Sequence, residues 1–137
     1  MSDRIKAIDW AGTARCLAGH RCKVYFREPS RKNLDGLHYR VNNHSVIELS
    51  PRLNERELMW VFLHEVGHAR LHFNRLKAHQ NELAPNRPAY STEYLQSPKI
   101  AARETDADRL ANTWFKFASY QDTLEGKHSV LRSYYDD

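Results

Sequence analysis

At 137 residues, with 41% hydrophobic and 28% charged side chains, the chain has the make-up of one folded domain and not of a disordered or collagenous polymer. No apolar stretch approaches the roughly 20 residues of a membrane span, and the first residues lack the apolar core of a secretory signal, so the expected compartment is the cytoplasm, with no membrane partner. The net charge of +4 arises from 21 basic and 17 acidic residues spread along the chain without a dense basic run, so a nucleic-acid partner is open to the chain but not indicated by its charge.

In chain order, a loosely helical pattern runs from Ile5 to about Ala18 and is closed by Gly19, a residue suited to the left-handed position after a helix. Cys22 to Arg27 is β-branched and aromatic and predicts a strand. Cys16 and Cys22 are too few for a disulfide framework. After a polar turn from Pro29 to Gly36, two short strands are expected at Leu37–Val41 and Ser45–Leu49, joined by a turn at Asn42, Asn43 and His44. Asn54, with Glu57 three residues on, forms a capping-box signal for a helix from Glu55 to Phe73. Leu58, Val61, Phe62, Val66, Ala69 and Phe73 give that helix a continuous apolar face. The segment 74–96 is long, polar and broken by Pro85 and Pro88, with room for one short helix at Arg75–Leu83; the remainder is placed to lie over a cleft. Ser97 and Pro98 then mark the start of a last helix expected over Lys99 to Ser119. The fold class is therefore α+β, a single domain over 1–137 with its core in about 5–119 and a C-terminal tail in 120–137.

The chemistry concentrates in His64-Glu65-Val66-Gly67-His68. Histidines four apart lie on one helix face a turn apart, so both imidazoles reach one metal ion, with Zn–N distances of about 2.0–2.1 Å. Glu65, beside the first of them, is placed to act as general base on a zinc-bound water and to pass the proton to a leaving amine. A catalytic zinc takes three protein ligands. The third is assigned to Glu104, one turn before the small buried-face residues Ala107 and Ala111 of the last helix, whereas Asp106 points away from that face. Asp108 is placed to accept a hydrogen bond from a ligand histidine's other nitrogen. His72, one turn beyond His68, extends the polar stripe and is expected to pack or cap behind the site and not to bind the metal. One Zn²⁺ per chain is the expected cofactor. Tyr90, Tyr94, His79 and Arg103 are candidate donors to an oxyanion, with no basis for choosing among them.

The runs Val61-Phe62-Leu63-His64-Glu65-Val66-Gly67-His68-Ala69-Arg70-Leu71-His72 and Glu104-Thr105-Asp106-Ala107-Asp108-Arg109-Leu110-Ala111 together resemble the ImmA/IrrE family of small gluzincin-like metallopeptidases, over roughly residues 5–115. The resemblance implies a minimal zincin domain made of an N-terminal helix, a small three-stranded sheet, the metal helix and a following helix. It also implies His64, His68 and Glu104 as zinc ligands, Glu65 as base, and a specific intracellular protein, of the transcriptional-repressor kind, as substrate. Two other readings are open: a zinc-binding regulatory or interaction module with little turnover, and a DNA-associated SprT-like protease. A closed structural zinc would not need Glu65, and the chain has none of the cysteine-rich modules that usually accompany the SprT-like group.

Overall fold

The computed structural model describes residues 8–29, 34–75 and 98–125, which form three helices and one three-stranded mixed sheet, an α+β arrangement. Helix α1 spans Trp10–Ala18, capped by the Asp9 side chain on Gly12 N and closed by Gly19 in the left-handed region at φ 84°. The part of the expected helix before residue 8 lies outside the described residues. Strand β1 spans Cys22–Phe26, β2 Gly36–Val41 and β3 His44–Leu49. The β2–β3 turn is therefore two residues long, with Asn42 at φ 50°, and His44 belongs to the strand as the cross-strand partner of Val41. Asparagine tolerates that backbone region, and the shorter turn lets the antiparallel register run unbroken from Val41–His44 to Gly36–Leu49.

Strand β3 sits in the middle of the sheet, antiparallel to β2 and parallel to β1, which leaves β2 as an edge strand among the described elements. Period-two alternation gives the sheet two different faces. One carries Cys22, Ile47 and Leu49 into the main core; the other carries Leu37, Tyr39, Val41 and Val46. Glu48, fully buried on that second face, is neutralised by Arg27, whose guanidinium also donates to Tyr39 Oη at 3.1 Å.

Helix α2, Glu55–His72, lies across the first face. Its start is a complete capping box: Asn54 Oδ1 accepts from Glu57 N at 2.9 Å, and Glu57 Oε1 accepts from Asn54 N at 3.1 Å. Phe62, Leu63, Val66 and Ala69 are sealed against the sheet and α1. Trp10 is the hinge of this packing, meeting Phe26 and Phe62 edge-on at centroid distances of 5.4 and 4.7 Å. Each such side chain contributes about 1.5–3 kcal/mol by leaving water. Near the other end of α2, Arg70 donates to the free Leu17 carbonyl at 2.8 Å and ties α1's C-terminus down. Phe73 leaves the α-helix and opens a 3-10 turn, Phe73–Arg75.

Helix α3 runs from Pro98 to Glu125. It starts where the proline signal put it and extends six residues past Ser119, because no glycine or proline intervenes before Gly126. Its buried residues Ala107, Ala111 and Trp114 face α2. At the crossing, a Cβ on Gly67 would lie 3.3 Å from the Ala107 carbonyl oxygen and 3.4 Å from its Cα. The two helices thus meet backbone to backbone at the turn that carries His64 and His68. Residues 76–97, which hold all but the first residue of the expected Arg75–Leu83 helix and the cleft-covering segment, lie outside the described residues, as does the tail from 126.

The capping box makes a direct stability test. Asn54→Ala removes the acceptor for Glu57 N and should cost about 1 kcal/mol, read as a lower urea midpoint at unchanged m-value; an unchanged midpoint would mean that the cap contributes nothing.

Candidate metal centre

Helix periodicity puts His64 and His68 on the flank of α2 that meets α3, not on the face that meets the sheet. Their Nε2 atoms are 3.2 Å apart. From α3, Glu104 comes between them: Oε2 is 2.9 Å from His64 Nε2 and Oε1 is 3.1 Å from His68 Nε2. Two imidazole nitrogens from one helix and the carboxylate of the other therefore converge on one point. For a metal with bonds of about 2.0–2.1 Å in tetrahedral geometry, the ligand atoms are about 3.3 Å apart. The observed edges lie a few tenths of an ångström inside that value, so the residues fit a zinc ion with small outward shifts. His64, Glu65 and His68 likewise each offer a ligand-type atom within 4.8 Å of the other two.

Glu65 is buried, and its side chain faces the start of β2. There a Cβ on Gly36 would come within 3.2 Å of Glu65 Oε2 and 2.5 Å of a Val61 methyl. Gly36 is thus a position where the strand can approach the carboxylate only because it carries no side chain. Burial raises the pKa of Glu65 above the ordinary glutamate value, partly offset by the neighbouring His68 and His64. Burial also disfavours the Glu104 carboxylate, but hydrogen bonds from His64 and His68 outweigh it and hold Glu104 well below the usual range. His64 shows the reciprocal effect: burial opposes its charge, and the contact with Glu104, with Glu65 and Asp108 nearby, lifts its pKa above the normal imidazole value.

Asp108 Oδ1 lies 2.9 Å from His64 Nδ1, off the line required for a completed hydrogen bond, so the pair is a close electrostatic contact. His72 is buried and places its Nδ1 3.0 Å from His68 Nδ1. Asp106 is exposed and has no contact with the cluster. Of the candidate oxyanion donors, His79, Tyr90 and Tyr94 lie outside the described residues; Arg103 lies on α3, next to Glu104 in the chain.

Three features escaped the sequence reading. Trp60, one turn before His64, lies stacked on its imidazole at 5.3 Å and 21° and donates from Nε1 to Asn112 Oδ1 of α3 at 2.9 Å. The i, i+4 spacing on α2 was the available signal. Beside it opens a cavity of about 700 Å³ lined by Leu53, Arg56, Trp60, Val61 and Phe115 among others. The third is a buried polar floor: His38 on β2 and His20 after α1 both place Nε2 on the Ser45 hydroxyl, at 2.8 and 2.6 Å. Burial drives the pKa of His38 well below its usual value, reinforced by His68, His20 and His72, and burial lowers that of His20 as well.

Comparison with family models, with curated proteins and with solved structures returns no match. Among the described residues no helix is long and apolar enough to cross a membrane.

Two measurements follow from this geometry. Zinc offered to the metal-free chain should bind at one per chain, and Glu104→Ala should weaken it by more than the roughly 10–100-fold typical of losing an outer partner. Binding indifferent to Glu104, read by competition with a chromophoric chelator, would remove it from the site. The second concerns acid stability. Below about pH 6.5 the unfolded chain protonates His38 while the folded chain resists, so this residue withdraws stability as pH falls, by about 1.4 kcal/mol per unit of pKa depression. Urea midpoints of the metal-free protein at about pH 7.5 and about pH 5.5 should therefore differ less in His38→Gln than in the unaltered chain; an equal or larger difference would show that His38 is not held neutral.

Proposed function

We propose that this chain is a zinc-dependent metallopeptidase, of the kind its two motif runs resemble in the ImmA/IrrE family, acting in the cytoplasm on a specific protein. The observation that carries the reading is the convergence of His64 Nε2, His68 Nε2 and the Glu104 carboxylate within 2.9–3.2 Å, with the buried carboxylate of Glu65 beside them. Two neutral nitrogens and one carboxylate suit zinc, and three ligands leave a position open for chemistry. Zinc, when bound, supplies Lewis acidity.

The remaining work falls to the chain's own residues. His64, His68 and Glu104 would hold the metal from two helices that approach closely where Gly67 meets Ala107. Glu65 accepts a proton at its carboxylate from the attacking water as the new C–O bond forms, and returns it to the amine nitrogen as the C–N bond breaks. Its raised pKa brings its proton affinity nearer to neutrality, where a residue that both takes and gives a proton works best. An extended peptide is the natural partner for the edge strand β2, which can offer backbone hydrogen bonds beside Glu65. A transcriptional repressor is the substrate the resemblance points to.

The test separates metal from base. Glu65→Gln should bind zinc as the unaltered chain does and lose cleavage by at least about 10²–10⁴-fold, scored by mass spectrometry of new termini in a proteome-derived protein mixture. Equal cleavage by both chains would remove Glu65 as the base; zinc-loaded chain yielding no new termini would move the reading to a regulatory module without turnover.

A further inference from the structure

The two candidate ligand histidines are supported from behind by different chemistries. His64 turns Nδ1 toward the Asp108 carboxylate at 2.9 Å, and carboxylates are among the ordinary outer partners of metal-binding imidazoles. His68 turns Nδ1 to another imidazole, the Nδ1 of His72, at 3.0 Å. Two ring nitrogens at that separation share one proton, since two hydrogens would collide and two bare lone pairs would repel. The other nitrogen of His68, Nε2, faces His64 Nε2 at 3.2 Å and Glu104 Oε1 at 3.1 Å. Its lone pair is the one a metal would take, so the shared proton belongs on His68 Nδ1. His72 then offers Nδ1 as the acceptor of that hydrogen.

We propose that His72 is a positioning residue: its Nδ1 lone pair holds His68 as the Nδ1–H tautomer and aims Nε2 into the metal site. This deepens the metal-site reading above and rests on it. The rings are inclined at 51° with centroids 5.1 Å apart, so they meet nitrogen to nitrogen and not face to face. His72 is 4% exposed, and water has little access to replace it as acceptor. It is also the last residue of α2, one turn after His68.

Three substitutions in the full chain separate this role from packing. His72→Asn keeps an acceptor at the atom corresponding to Nδ1. His72→Gln moves its polar group one bond further out, to the position of Nε2. His72→Leu fills the space with no acceptor. Zinc affinity of each metal-free protein is measured by chelator competition, and the thermal midpoint of the same metal-free samples is recorded. The Gln and Leu variants should lose roughly 10–100-fold in affinity, and Asn should stay near the unaltered chain. The thermal midpoints should follow another order, with Leu highest of the three.

Affinities that follow the thermal midpoints, or a Leu variant binding as tightly as the unaltered chain, would overturn the proposal and leave His72 a packing residue. Should the Leu variant fail to fold, the Asn and Gln pair, alike in polarity, decides by the same criterion. Failure of the unaltered chain itself to bind zinc is a distinct result, which would remove the metal site and the role of His72 with it.

Discussion

The contact of Gly67 with Ala107 is the constraint on which the site depends. Helices carrying ordinary side chains at a crossing stand 8–10 Å apart, and a carboxylate reaching across a wide gap would be poorly placed between two imidazoles. Here the Ala107 carbonyl oxygen lies 3.3 Å from where a Gly67 Cβ would be, tighter than an ordinary contact. The approach brings Glu104, one turn earlier on α3, within 2.9–3.1 Å of both histidines. Phe62 and Val66 on the sheet side and Ala111 and Trp114 on the α3 side then seal the crossing. Glycine in a helix interior costs about 0.5–1 kcal/mol relative to alanine, a cost that the burial of even one of these side chains exceeds.

The site places opposing demands on its charges. Burial alone would favour a protonated Glu65 and neutral histidines. Glu104 escapes that trend because it is only half buried and receives contacts from two imidazoles, whereas Glu65 lies deeper and keeps its raised pKa. Two carboxylates at the same pair of histidines are thus set to different proton affinities by depth and partners. That separation fits one group to bind a cation and the other to handle a proton.

Much of this could be read from residue pattern. The capping box at Asn54 and Glu57, the glycine stop at Gly19, and the Pro98 start each rest on local chemistry that needs no tertiary partner. The pairing of His64 with His68 was legible because helix spacing converts directly into geometry, and Glu104 was picked out by its place one turn before the small residues Ala107 and Ala111. What lay hidden depends on contacts between distant segments. The parallel pairing of β1 with β3 follows from no local signal, because register and strand order are set by which faces are covered. Ser45, drawing His20 and His38 from two other segments, is an unremarkable serine in sequence. Trp60 had a readable spacing to His64, but its bond to Asn112 needed the helix crossing to be known. The end of α3 was placed too early, at Ser119, whereas the helix runs on to Glu125 and only Gly126 interrupts helix-forming residues.

The cavity beside Trp60 and the strand wall beside Glu65 differ in how they can change. Toward Trp60 the surface is made of side chains, Leu53, Arg56, Val61 and Phe115, and each single substitution there reshapes the cavity. Toward β2 the surface is peptide backbone at Gly36, with no space for a side chain between Val61 and the carboxylate. A point substitution cannot vary that wall without displacing the strand or the carboxylate. Sliding the strand by one residue would turn Leu37, Tyr39 and Val41 from one face of the sheet to the other. The cavity is therefore open to gradual diversification, while the wall beside Glu65 is held at a single shape by the folding of the sheet itself.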